Sequence, residues 1–170
     1  MDALEGRHTE ALTRLKASSA PAIAYQWRYV PKAQLQAAIY ARTGRHALAR
    51  AHYDSARVVA ARAVQSNPGD ANAHSALAIA YAGLGMKREA EAEARDAIAL
   101  LPLSVDAWRG LYRLEDLARV HAMLGDVGAA VVQLKQLFAL PGGRALPIME
   151  LGSPWDQLRG DARYLALIGG

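Results

Sequence analysis

Residues 71–102 read ANAHSALAIAYAGLGMKREAEAEARDAIALLP, and this stretch determines the expected fold of the chain. Apolar residues recur every three or four positions in both halves, which predicts two amphipathic helices. The two stripes are Ala73, Leu77, Ala80, Tyr81 and Leu84, then Ala90, Ala94, Ala97, Ile98 and Leu101. Gly85 lies between them, where a residue that adopts positive φ can end a helix. Neither helix can bury its stripe alone, so the pair predicts a protein built from repeated helical units.

The composition favours helices that pack closely together. The 170 residues are 52% hydrophobic but only 6% aromatic. Much of the hydrophobic content is alanine, which has the best helix propensity of all residues. Runs of β-branched and aromatic residues are few, which argues against a sheet. We therefore predict an all-α fold.

Charge and cysteine content exclude several classes of protein. The net charge is +4, but the arginines are spread over every segment, which is typical of a solvated helical surface and makes nucleic-acid binding unlikely to be the function. Without cysteine there is no disulfide framework and no thiolate metal site. The first twenty residues carry charges of both signs, unlike a signal peptide, and no apolar run approaches the ~20 residues that span a bilayer. We predict a cytoplasmic protein that does not enter a membrane.

The pattern around Gly85 recurs around other glycines. A small residue lies seven positions before and five after each glycine, and a larger one lies four before. These sets are Ala78, Tyr81 and Ala90 around Gly85, Ala37, Tyr40 and Ala49 around Gly44, and Ala118, His121 and Ala130 around Gly125. Gly6 shares the downstream half of the pattern, with Ala11 and Leu15. Small residues let two helices cross closely while the larger side chain fills the gap beside them, so we predict four related units.

The unit at 71–104 resembles the tetratricopeptide repeat, with Leu77, Ala78, Tyr81, Ala90, Ala97 and Pro102 at consensus positions. It departs at His74 and Ala94, where the family often has tryptophan and another aromatic residue. The glycines at 6, 44, 85 and 125 are 38, 41 and 40 residues apart, whereas the family period is about 34. We attribute the excess to a helix that continues to Ser66 and another that begins near Ser104.

This resemblance implies a right-handed α-solenoid of helix-turn-helix repeats, with some extended helices and a C-terminal capping segment. A period near 40 also fits HEAT or armadillo repeats, which stay as the alternative fold. The small residues around each glycine favour the tetratricopeptide arrangement.

The chain divides into three predicted regions. Residues 1–20 are predicted to form the second helix of a truncated repeat, which suggests that the natural gene continues upstream of Met1. Residues 21–140 hold the repeats, in units at about 31–66, 71–101 and 104–140, and residues 141–170 form the cap. Tyr25, Trp27 and Tyr29 alternate ahead of Pro31. Alternation suggests a strand, but we predict a short helix or an extended linker before the proline.

Four stretches extend the resemblance to a group of bacterial tetratricopeptide regions. They are YVPKAQLQAAIYARTG, AHYDSAR, LEDLARVHAMLGD and SPWDQLRGDARYLAL, in this order. Those regions commonly form the C-terminal part of signalling proteins, behind nucleotide-cyclase, protein-kinase or DNA-binding transcriptional domains. Ala162 and Tyr164 stand where that group usually has proline and phenylalanine. The resemblance implies an association with signalling, although no catalytic motif of those partner domains occurs in this sequence.

No pattern in the sequence predicts an enzyme. No serine lies in a G-x-S-x-G motif, and GLGMKREA lacks the lysine-serine ending of a phosphate-binding loop. The histidines at 8, 46, 52, 74 and 121 never fall three or four residues apart, as two metal ligands on one helix would. Glu115 and Arg119 have the i, i+4 spacing of an ion pair on a helix face. We predict no catalytic residue, no cofactor, no metal and no small-molecule substrate.

The candidate site is a groove for a partner protein or peptide. In the tetratricopeptide family, the first helices of successive repeats line a concave surface that receives a partner segment. Mapped by repeat position, the predicted partner-binding residues are Gln34, Arg42, Asn72, Ser75, Ile79, Tyr112, Glu115, Arg119 and Met123, with Ala38 beside them. Tyrosine, methionine and arginine are favoured at interfaces. Self-association as a homodimer is the alternative function.

Overall fold

A computed structural model describes residues 2–25, 27–143 and 154–169, and most of these residues are helical, as the sequence predicts. The α-helices are α1 (Asp2–Ala17), α2 (Lys32–Arg42), α3 (His46–Ser66), α4 (Ala71–Gly83), α5 (Lys87–Leu100), α6 (Ala107–Met123), α7 (Val127–Phe138) and α8 (Ala162–Ile168). Two short strands, β1 (Ala22–Tyr25) and β2 (Arg28–Pro31), precede α2, and a 3₁₀ turn (Pro154–Leu158) precedes α8. In the part of the chain that the structure describes, no helix combines the length and the apolar content needed to cross a membrane.

Glycines and aspartates set where the helices begin and end. Gly44, Gly85 and Gly125 follow α2, α4 and α6 with φ of 70°, 77° and 76°, so the prediction that these glycines end helices with positive φ is confirmed. The helix α3 extends to Ser66, also as predicted. The predicted start of α6 near Ser104 is wrong, because the helix begins at Ala107. Asp106 caps it by accepting hydrogen bonds from the backbone of Trp108 and Arg109.

Small residues lie at the helix crossings. Ala37, Ala78, Ala90, Ala118 and Ala130 are completely buried, at the positions that the glycine pattern selects. Contacts join each helix to the next along the chain, from α2 through α7, and α4 also contacts α6. The fourth occurrence of the pattern is an exception, because Gly6 lies inside α1 rather than between two helices.

The segment before α2 forms a β-hairpin, so the prediction of a short helix or linker is wrong. The strands β1 and β2 pair antiparallel, with Ala22 opposite Pro31 and Tyr25 opposite Arg28. Lys32 N–H donates to the carbonyl of Pro21 at 2.9 Å, which closes the hairpin at the start of α2. Tyr29 packs with Ala76 and Leu77 of α4. The alternating aromatic residues do not lie on one strand, because Tyr25 ends β1, Trp27 lies in the turn and Tyr29 belongs to β2.

Both ends of the described chain pack on their neighbours. Leu12 of α1 packs against the cluster of buried residues formed by α2 and α3. Trp155, Leu158 and Tyr164 are buried in a cluster with Leu111 of α6 and Leu134 of α7. Of the region 141–170 that we predict to be a cap, residues 144–153 and 170 lie outside the described residues.

Candidate functional site

A groove with a volume of about 460 Å³ lies between α2, α4 and α6 and is bordered by the β-hairpin. We call this cavity the concave groove. Its lining comes from five elements, in chain order Trp27, Arg28, Tyr29, Val30, Gln34, Leu35, Ala38, Tyr53, Asn72, Ser75, Ala76, Ile79, Tyr112, Arg113, Glu115, Asp116, Arg119 and Met123. The helices α2, α4 and α6 alternate along the chain with α3 and α5, and side chains of all three meet at this cavity.

Eight of the nine residues predicted for partner binding line the concave groove, and Arg42 does not. Arg42 lies at the end of α2 and its side chain is exposed. The prediction on α2 used two steps of four residues, from Gln34 through Ala38, and each such step turns about 40° further around the helix. On α4 and α6 the predicted sets contain a step of three that offsets this drift, so their residues stay on one face.

A cluster of buried charges lies at the hairpin end of the groove. Arg28 of β2 donates through Nη1 to Asp116 Oδ1 at 2.6 Å and through Nη2 to Glu115 Oε2 at 2.5 Å. The side chains of Glu115 and Asp116 are each only 1% exposed. The guanidinium carbon of Arg28 also lies 5.3 Å from the ring centre of Tyr112. Arg28 therefore fastens the hairpin to α6 inside the groove.

Arg113 connects the same cluster to α4. Its Nη1 donates to Asn72 Oδ1 at 2.5 Å, its Nη2 donates to the carbonyl of Trp27 at 2.9 Å, and Nη2 lies 3.1 Å from Asp116 Oδ2. Burial lowers the pKa of Arg113, while the charge of Asp116 opposes that change. Three elements, the hairpin, α4 and α6, are thus joined by one buried guanidinium.

The arginines around Asp116 favour its ionised form. Burial alone would raise the pKa of Asp116, but the charges of Arg28, Arg113 and Arg119 outweigh it and hold that pKa below its usual range. A carboxyl group that stays ionised well below neutral pH is a poor general base and cannot act as a general acid at neutral pH. The arrangement offers charge and shape for recognition instead.

The interpretation of Glu115 and Arg119 as an ion pair on the helix face needs correction. The pair exists, with Arg119 Nη2 at 3.3 Å from Glu115 Oε1. However, Glu115 is buried because the hairpin covers it and supplies Arg28 to its other oxygen. The sequence analysis missed Arg28, Arg113 and Asp116 as groove residues, and the aromatic alternation before Pro31 was the available signal for the hairpin that carries Arg28.

A second polar cluster lies between α4 and α5. His74, Glu93 and Asp96 each place a potential metal-ligand atom within 4.8 Å of the others. Both ring nitrogens of His74 already have partners, since Nδ1 lies 2.7 Å from Glu93 Oε2 and Nε2 lies 3.0 Å from the carbonyl of Pro68. We interpret the cluster as a link between α4, α5 and the preceding turn. It gives His74 a polar role at a position where the tetratricopeptide family often has tryptophan.

One comparison with known protein families gives a match. The family model of the tetratricopeptide repeat matches residues 29–102, a range that covers nearly all of β2 and the helices α2 to α5. No curated protein and no solved structure matches the chain. The family match, together with the predominantly helical fold, supports a tetratricopeptide repeat protein.

Proposed function

We propose that this protein is a non-catalytic interaction module that binds a peptide or a helix of a partner protein in the concave groove. Tetratricopeptide repeats are in general protein–protein interaction modules and non-catalytic scaffolds. The observation that carries the proposal is the concave groove itself, because it combines apolar walls with a small set of polar groups. That combination is typical of sites where a few polar contacts orient a ligand and apolar contacts bind it.

The expected mechanism is recognition by a preformed surface. The buried contacts of Arg28 and Arg113 hold the hairpin, α4 and α6 together before any partner arrives. A groove that is already ordered loses little conformational entropy when it binds, which leaves more of the contact energy for affinity. The partner would contact predicted residues on two walls of the groove. On α4 these are Asn72, Ser75 and Ile79, and on α6 they are Arg119 and Met123.

The wider setting is part of the same proposal. The four stretches shared with bacterial tetratricopeptide regions support a regulatory role in a cytoplasmic signalling system. We further propose that residues 21–140 act as the binding region, that residues 1–20 belong to a truncated repeat, and that residues 141–170 cap the last repeat. Burial of Trp155, Leu158 and Tyr164 against α6 and α7 supports the cap.

A groove-blocking variant tests the proposal. Ala38 is exposed and lines the concave groove, so Ala38→Trp should fill the open space without changing a buried contact. Ala92 is exposed on α5 outside the groove, so Ala92→Trp is the matched control. Random 12-residue peptides displayed on phage would be selected on the wild-type protein.

We expect the selected peptides to bind the Ala92→Trp protein normally and the Ala38→Trp protein at least about tenfold more weakly. Peptides that bind both variants equally would place the site elsewhere. A selection that yields no peptide above background would contradict peptide binding altogether.

Self-association is the second candidate function. It is favoured by two exposed apolar side chains near the start of α6, Val105 at 72% and Trp108 at 48% exposure. Light scattering distinguishes the two functions, because a stable homodimer would have twice the 18.2 kDa mass of the chain at micromolar concentration.

A further inference from the structure

The three guanidinium groups in the concave groove differ in how completely they are paired. The side chain of Arg113 is 1% exposed and that of Arg28 is 15% exposed, and both hold several acceptors. The side chain of Arg119 is 25% exposed, and among the described residues its ion pair is the 3.3 Å contact with Glu115 Oε1. Its Nε has no hydrogen-bond partner within the described chain. Arg119 is therefore the most exposed of the three arginine side chains, and Nε of Arg113 likewise lacks a partner among the described residues.

Two nearly buried polar side chains in the same cavity also lack partners. Ser75 on α4 is 4% exposed and Gln34 on α2 is 7% exposed, and both line the groove. Neither Ser75 Oγ nor Gln34 Oε1 has a hydrogen-bond partner among the residues that the structure describes. A buried polar group without a partner is destabilising, so a ligand that accepts from Ser75 Oγ or donates to Gln34 Oε1 gains affinity.

Tyr53 of α3 also lines the groove. Burial raises the pKa of Tyr53, and the nearby charge of Arg119 opposes that rise. A phenol that keeps its proton remains a hydrogen-bond donor. The guanidinium of Arg119 and the hydroxyls of Ser75 and Tyr53 thus make this part of the groove rich in donors.

The charged residues of the groove lining include more cations than anions. Three arginines, Arg28, Arg113 and Arg119, face two carboxylates, Glu115 and Asp116. Outside the lining, the charge of Asp70 also acts on Arg113. Arg28 forms an ion pair with one oxygen of each carboxylate. Arg119 shares Glu115 with Arg28 and has no other carboxylate as an ion-pair partner among the described residues, so its charge is less completely neutralised than that of an arginine with a carboxylate of its own.

We infer that the concave groove selects a protein segment bearing an aspartate or glutamate side chain, whose carboxylate pairs with Arg119 and accepts from Ser75. The inference rests on the proposed function. Leu35, Ala38, Ile79 and Met123 line the same cavity, so an apolar residue adjacent to the acidic one completes the match. A charge-assisted hydrogen bond to a carboxylate is about twice as strong as a neutral one, which makes this contact the main source of selectivity.

The test uses random 12-residue peptides displayed with a free N-terminus, so that every carboxylate selected belongs to a side chain. Parallel selections are run on the wild-type protein, on Arg119→Glu, and on Arg42→Glu, which reverses an exposed charge outside the groove. The best wild-type peptide is then synthesised with blocked ends, with its acidic residue either kept or replaced by the corresponding amide. Its affinity is measured by calorimetry.

We expect aspartate or glutamate at one enriched position with the wild type and with Arg42→Glu, and lysine or arginine at that position with Arg119→Glu. The amide-substituted peptide should bind the wild type at least about tenfold more weakly, the loss expected for one charged hydrogen bond. Arg119→Gln, which removes the charge without placing a second carboxylate beside Glu115, provides the same comparison if Arg119→Glu melts at a lower temperature.

Two results would overturn the inference while leaving the proposed function intact. One is a set of groove-binding peptides without an acidic position, and the other is an affinity that neither the amide substitution nor Arg119→Gln changes. Failure to select any peptide would instead contradict the proposed function, and the inference with it.

Discussion

Gly83 of α4 allows the ring of Tyr53 of α3 to pack directly on the α4 backbone. It lies at the end of α4, where a Cβ atom would fall 2.4 Å from Cγ of the Tyr53 ring. Tyr53 is 7% exposed, so its ring has little room to move. We expect Gly83→Ala to destabilise the protein by about 1–3 kcal/mol, the usual cost of overpacking a core, as measured by urea unfolding.

Gly128 provides the matched control for that substitution. It lies in α7, and a Cβ atom there would have no neighbour within 4 Å. Gly128→Ala should therefore be neutral or stabilising by up to about 1 kcal/mol, because alanine lowers the entropy of the unfolded chain and favours the helix. Equal stability of the two variants would show that the Tyr53 ring does not pack on Gly83.

The β-hairpin is the element that depends most on tertiary contacts. Two strands of four residues each are at best marginally stable by themselves in water. Three contacts hold the hairpin in place. Arg28 donates to Asp116 of α6, Arg113 of α6 donates to the carbonyl of Trp27, and Tyr29 packs against α4. Its stability and that of the groove are therefore coupled.

Removal of Arg28 should reveal this coupling. Arg28→Ala removes the shorter of the two ion pairs of Glu115 and one of the two ion pairs of Asp116. We therefore expect the free energy of unfolding, measured in urea, to fall by about 3–5 kcal/mol. Arg57→Ala removes a partly exposed arginine, with 33% of its side chain accessible, that pairs with Asp54, and it should cost less than about 1 kcal/mol. A loss as small for Arg28→Ala as for Arg57→Ala would mean that the hairpin does not depend on its buried ion pairs.

Over the whole molecule, the direction of the pKa shifts predicts loss of stability in acid. Burial lowers the pKa of His52 and His121, so the unfolded chain takes up protons at these residues before the folded chain does. Stability should thus be constant above about pH 7 and fall as the pH passes below the unfolded histidine value of about 6.5.

A second loss should follow below about pH 4. The folded pKa of Asp116 is below its usual value, because the charges of three arginines outweigh the effect of burial. Its contribution is therefore present above about pH 4 and is lost as the carboxylate is protonated. Melting temperatures measured from pH 8 to pH 3 check both steps, and His121→Gln should reduce the first step alone. A melting temperature that rises between pH 7 and pH 5 would contradict the assignment.

The sequence by itself determined the helical pairs of this protein. Gly85 with its positive φ and the buried alanines Ala78 and Ala90 act within one turn and its two flanking helices, so their spacing along the chain is enough to predict them. The resemblance to the tetratricopeptide repeat, mapped by repeat position, selected Ser75, Ile79 and Arg119, and all three line the groove.

Only the tertiary structure decided the rest of the groove. Arg28 lies 87 and 88 positions before Glu115 and Asp116 in the chain, and no local pattern connects residues so far apart. Pairing of charges in a buried site depends on which elements meet, because burial makes an unpaired charge costly and a paired one tolerable. The helices follow from local periodicity, whereas the hairpin, its buried ion pairs and the shape of the groove follow from the packing of distant segments.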